Sequence, residues 1–156
     1  MTKNSKIPVN INNSKNTTIR TRSISNNNKA IKETEGKTKN KTNNLQIYQK
    51  YLELIYYSND VLKKYPKKEN FTIVTEIKKT LYVGLRNLMY AIKSYNKQNK
   101  LNNLNEFDIN LTLLKVQVRL SYKYQYITTK NYETWCKLIT DICNMLGGWI
   151  ISCQKR

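Results

Sequence analysis

Histidine is absent from the whole 156-residue chain, and that one absence excludes histidine-based catalytic triads, histidine metal sites and histidine pH switches. Any enzymatic chemistry left would have to be built on Lys, Cys, Tyr or carboxylates, so an enzyme is the less favoured class. No stretch offers about 18 consecutive apolar residues, and no apolar signal-peptide core follows the first lysines; both point to a cytoplasmic protein with no membrane partner. Cysteine is sparse: Cys136, Cys143 and Cys153 are odd in number and lack CxxC spacing. They read as reduced packing residues of the last helix, not as a disulfide framework or a zinc site. Four glycines and two prolines leave few breaks inside long helices. Acidic residues are scarce too, with Lys plus Arg outnumbering Asp plus Glu 28 to 10 for a net charge of +18.

The abundant residues qualify that charge. Asn (22), Lys (23), Ile (16) and Tyr (12) make up nearly half of the chain, and Lys exceeds Arg 23 to 5. All four have AT-rich codons, so codon bias alone raises the lysine content. Only the placement of cations on folded elements decides whether they form an anion-attracting field.

Composition divides the chain in two. Residues 1–44 are rich in Asn, Lys, Ser and Thr, lack aromatics, and show no sustained hydrophobic period; they are expected to be a disordered tail. Ten basic residues against Glu33 and Glu35 give this tail a net charge of +8 and leave +10 to residues 45–156. The tail reads equally as an electrostatic arm for RNA or DNA and as a weakly constrained extension.

From Leu45 onward the apolar period is helical, and four segments emerge at about 45–65, 72–97, 103–126 and 129–154. The first carries Tyr48, Tyr51, Leu52, Ile55 and Leu62, and stops at Tyr65-Pro66. The second, with Thr72 as its expected N-cap, carries Val74, Ile77, Leu81, Leu85, Leu88, Ile92 and Tyr95 before a polar turn near 96–100. Leu104, Phe107, Leu111, Leu114 and Val118 follow in the third at spacings of three and four; Tyr132, Trp135, Ile139, Ile142, Leu146 and Trp149 repeat the pattern in the fourth, behind Thr129 as expected cap. Four such helices joined by short loops predict an all-α, up-down-up-down four-helix bundle.

On a wheel of about 100° per residue the second helix separates its chemistries: Lys78, Lys79, Tyr82, Arg86, Tyr90, Lys93 and Lys97 share one arc away from the apolar stripe. Glu76 points elsewhere, so no carboxylate is expected to cancel these cations. Lys115, Arg119 and Lys123 form a second row on the third helix. Lysines supply mobile point charges, Arg86 and Arg119 forks for phosphate, and Tyr82, Tyr90, Tyr122 or Tyr126 rings for unpaired bases. The competing reading is a solvated lysine-rich face. Without a base-reading device, such rows predict salt-sensitive, backbone-dominated binding.

The fourth helix ends in Leu146-Gly147-Gly148-Trp149 after Tyr132 and Trp135; the first ends in Lys64-Tyr65-Pro66-Lys67; Phe71-Thr72 opens the second, and Ile127-Thr128-Thr129 turns into the fourth. In these features, over about residues 46–152, the chain resembles the Avd proteins. These are accessory variability determinants of diversity-generating retroelements, related to the four-helix 23S rRNA intervening-sequence proteins. The resemblance implies a basic homopentamer that binds nucleic acid and a retroelement reverse transcriptase, supporting mutagenic, RNA-templated cDNA synthesis without catalysing it. It does not extend to the tail. Gly147 and Gly148, with Trp135 and Trp149 around them, are expected to let another helix approach closely, within the protomer or across a subunit boundary.

Enzymatic alternatives find little support. A di-iron bundle needs Glu-x-x-His motifs that this chain lacks, and neither a Walker loop nor a dinucleotide fingerprint occurs. Carboxylates such as Asp60, expected to pair with Lys64, lie on different arcs. No catalytic residue, cofactor or metal ligand is therefore expected. Besides a reverse-transcriptase accessory subunit, two readings stay open: a stand-alone RNA-associated bundle of the intervening-sequence type, and a structural oligomer without a nucleic-acid role.

Overall fold

A computed structural model describes residues 46–155; the expectations for the 1–44 tail lie outside them. Among the described residues the chain forms four α-helices and no strand: α1 over 46–62, α2 over Ile73–Lys93, α3 over Lys97–Lys123 and α4 over Thr129–Gln154. A short 3-10 helix, Lys67–Phe71, bridges α1 and α2.

Pairs of contacts at opposite ends show how the helices run. At one end of the α3–α4 pair the Tyr122 and Thr129 hydroxyls lie 3.2 Å apart, and at the other the Lys97 ammonium donates to the Gln154 carbonyl at 3.2 Å. The two helices are therefore antiparallel. Gln117 of α3 donates to Thr80 of α2 at 3.0 Å, while Tyr57 of α1 donates to the Asn131 carbonyl of α4 at 3.2 Å and sets its ring edge-on to Trp135. Contacts between α1 and α4 close the bundle.

The core follows the helical period. Leu104, Phe107, Leu111, Leu114 and Val118 are buried, as are Trp135, Ile139, Ile142 and Leu146, and they meet Tyr51, Leu54, Ile77, Leu81 and Leu88 in one cluster. Burial of each large apolar side chain is worth roughly 1.5–3 kcal/mol, so this interior dominates the stability. Cys136, Cys143 and Cys153 are half-buried free thiols on α4.

Local chemistry at the helix ends corrects several expectations. The helix expected to begin near 103 starts at Lys97, because Asn96 caps it by accepting from the Asn99 N–H at 3.0 Å. Asn103 returns its amide to the Asn99 carbonyl at 2.8 Å, so the asparagine-rich stretch read as a turn is helical. Lys97 accordingly belongs to α3, and Tyr95 stands fully exposed in the connection instead of extending the α2 stripe. Thr128, not Thr129, caps α4, accepting from the Asn131 N–H at 3.2 Å. Thr72 occupies the α2 N-cap, but its hydroxyl turns back to Glu69 and makes no capping bond. Asp60 pairs with Lys63 at 2.8 Å, one residue short of the expected Lys64.

Candidate nucleic-acid interface

All ten residues of the two basic rows are exposed: Lys78, Lys79, Tyr82, Arg86, Tyr90 and Lys93 on α2, and Lys97, Lys115, Arg119 and Lys123 on α3. The α2 set occupies the outward face because the residues a turn apart on the other side, Val74, Ile77, Leu81 and Leu88, are drawn into the core. Lys79 is an exception to the expected lack of counterions, since the Glu76 carboxylate sits 4.0 Å from its ammonium at i,i+3 spacing. Lys78, Arg86, Lys93, Lys115, Arg119 and Lys123 have no carboxylate within 4.0 Å among the described residues. Their charge is left to the solvent side.

The tyrosines divide into free and engaged. Tyr82 and Tyr90 are 53% and 59% exposed among the α2 cations. Tyr122 instead stacks on Tyr132 with ring centroids 4.6 Å apart. Tyr126 donates to the Glu69 carboxylate at 3.0 Å, which, after the Thr72 hydroxyl, helps hold Glu69 below the usual carboxylate range. Tyr122 thus has one ring face covered, and the Tyr126 hydroxyl is taken.

A feature the sequence reading missed separates the two rows. Ile109, Leu113, Val116 and Leu120 are 40–59% exposed and recur at spacings of four, three and four, about 180° from the α3 core stripe. On one side α3 meets α2 at Gln117 and Thr80; on the other it meets α4 at Tyr122 and Thr129. Lys115, Arg119 and Lys123 lie on the α4 side of the aliphatic row, so the row runs between them and the α2 cations. The signal was present as a second apolar heptad on the same helix.

Of the residues expected to pack closely, Trp135 is fully buried and Trp149 half-buried. Gly147 and Gly148 face open space, and a Cβ built at either meets nothing within 4 Å. They do not serve close approach inside the protomer. Gly84, which sequence reasoning passed over, does: a Cβ there would run into the Tyr51 hydroxyl. No helix among the described residues is long and apolar enough to cross a membrane.

Four antiparallel helices with their cations turned outward define a basic four-helix bundle. The chain belongs to the bAvd-like family, whose sequence pattern it matches over residues 45–153, and this is a family of accessory, non-enzymatic proteins. Among solved structures it is similar to a protein of unknown function from the S23 ribosomal protein family of Bacteroides thetaiotaomicron, with a TM-score of 0.63 and 19% identity over 69% of this chain and 97% of that one. At that identity the likeness speaks for the fold alone. No curated protein matches the chain.

Proposed function

We propose that this protein is a non-catalytic accessory subunit of a diversity-generating retroelement, working in the cytoplasm, where it binds the reverse transcriptase and holds template RNA and cDNA on its basic helical faces. The observation that carries the reading is the outward face of α2, where Lys78, Arg86 and Lys93 have no carboxylate partner among the described residues and Tyr82 and Tyr90 are exposed between them. Cations supply salt-dependent attraction to phosphates and open rings supply stacking. Self-assembly, expected as a homopentamer, fits the aliphatic row on α3: covering it removes apolar surface from water and brings the flanking cations of neighbouring copies together. Repetition of such faces in one assembly turns modest affinity into avidity.

The test is binding of the full chain to single-stranded RNA and DNA across about 50–200 mM salt, with the mass of the assembly recorded on the same samples, followed by capture of the cognate polymerase. Affinity should fall by orders of magnitude across that range. Flat, weak binding with an intact assembly leaves a structural oligomer; RNA binding without polymerase association leaves a stand-alone RNA-associated bundle. A reverse-transcriptase gene beside this one separates the stand-alone RNA-associated bundle from the first reading.

A further inference from the structure

Where the end of α2 meets the beginning of α3, Tyr90, Lys93, Ser94, Asn99, Asn102 and Asn103 line an open groove of about 390 Å³, within the ~300–1,000 Å³ typical of small-ligand clefts. It exists because the chain reverses abruptly: Ser94 is extended, Asn96 caps α3 at once, and the asparagines of the first α3 turns are brought alongside the last turn of α2. We infer that this groove receives an unpaired nucleobase of a single-stranded nucleic acid, its ring against Tyr90 and its polar edge against the asparagine carboxamides. The inference rests on the nucleic-acid reading above and gives it a specific subsite.

Hydrogen bonding inside the groove decides between ligand chemistries. Asn103 spends its amide on the Asn99 carbonyl at 2.8 Å, which leaves its side-chain oxygen as an acceptor. Asn102 accepts from Gln98 at 2.9 Å through its oxygen, which leaves its amide as a donor. The Asn99 carboxamide has no hydrogen bond among the described residues, because only its backbone is engaged. The wall thus offers donors and acceptors side by side. Sulfate has only acceptors and makes no use of the Asn103 oxygen, whereas the Watson–Crick edge of every nucleobase carries both kinds of group.

The aromatic and ionic parts fit the same occupant. Tyr90 is 59% exposed, and base stacking on an accessible ring is tolerant of base identity. Lys93, one turn from Tyr90 and without a carboxylate partner among the described residues, stands where a flanking phosphate would pass. Among the described residues no carboxylate lines the groove. Arg86 lies one turn before Tyr90 on the same face, so a strand following the α2 cations reaches the groove without leaving the basic surface. A surface that otherwise senses only charge acquires a means of favouring bases that are unstacked and unpaired.

Two probes test this on the full chain: a short single-stranded RNA, and a backbone of equal length and charge carrying abasic residues throughout. Wild-type protein should bind the base-bearing strand more tightly. Tyr90→Ala should weaken that binding roughly 5- to 150-fold, the loss of one stacked base, and leave the abasic strand unchanged, whereas Tyr90→Phe should retain both. The pair Asn99→Ala with Asn102→Ala should also weaken only the base-bearing strand. Circular dichroism confirms that these surface variants stay helical. Equal wild-type affinity for the two probes, or an equal loss on both in Tyr90→Ala, overturns the groove while leaving charge-based binding standing. Failure to bind either probe overturns the nucleic-acid reading and the groove with it.

Discussion

The Tyr51 hydroxyl donates to the Leu81 carbonyl at 2.9 Å, and it reaches the α2 backbone because the residue one turn further is Gly84. The same ring is held edge-on against Phe107, with centroids 4.9 Å apart and planes at 79°, so three helices are locked around one buried phenol.

Gly84→Ala should therefore destabilise the fold although alanine is the better helix former. Helix propensity favours alanine by about 1 kcal/mol, but the new methyl would collide with the Tyr51 hydroxyl and overpacking a core of this kind costs ~1–3 kcal/mol. A net loss of about 1 kcal/mol is expected in urea unfolding. The loss should shrink in a Tyr51→Phe background, where the colliding oxygen is gone; the same loss in both backgrounds would place the strain elsewhere.

Replacing Lys79, Arg86, Lys93 and Lys97 together with glutamine should flatten the salt dependence of nucleic-acid binding, by ~0.7 in the log–log slope for each single-strand phosphate that is no longer neutralised. The four are not equal. Lys79 has Glu76 beside it and Lys97 is tied to the Gln154 carbonyl, so Arg86 and Lys93 should account for most of the change when titrated as a pair. An unchanged slope assigns binding to another surface.

Stability should fall in alkali through buried tyrosines. Burial pushes the Tyr65 hydroxyl from its ordinary 10.0 up to about 12, and Tyr51 upward as well. Below pH 10 both folded and unfolded chains keep these protons, so the stabilisation is complete. Between about pH 10 and 12 the unfolded chain releases a Tyr65 proton that the folded chain retains, and stability is lost at about 1.4 kcal/mol per pH unit for each such proton. Tyr65→Phe should reduce that slope. At neutral pH it should cost little, because the hydroxyl is buried without a hydrogen-bond partner among the described residues.

Leu113→Lys with Val116→Lys should leave the protomer nearly as stable as before, within about 0.5 kcal/mol, since both side chains already face solvent. Light scattering should nevertheless show a smaller assembly, because two ammonium groups would then interrupt the aliphatic row. An unchanged mass would exclude that row as the seam between copies.

Much of the bundle was legible along the chain. The spacing of Leu104, Phe107, Leu111, Leu114 and Val118 assigns them to one face of one helix whatever surrounds it, and all five are buried. Exposure of the cations was readable for the same reason: they lie outside the arcs that the core stripes occupy. The glycines were less legible. Gly147-Gly148 carried the family resemblance yet meets open space, whereas the isolated Gly84 admits a tyrosine from another helix.

Periodicity, charge and the motif around Leu146-Gly147-Gly148-Trp149 were determined by the sequence itself, because helix type, apolar face and family likeness depend on residues a few positions apart or on their order. Tertiary structure alone decided which tyrosine hydroxyls and rings are engaged, that Lys97 opens α3, on which side of the aliphatic row each set of cations falls, and that Tyr90 shares a groove with asparagines of the next helix. Those relationships join side chains on different helices or turn on a single capping bond, and hydrophobic period carries no information about either.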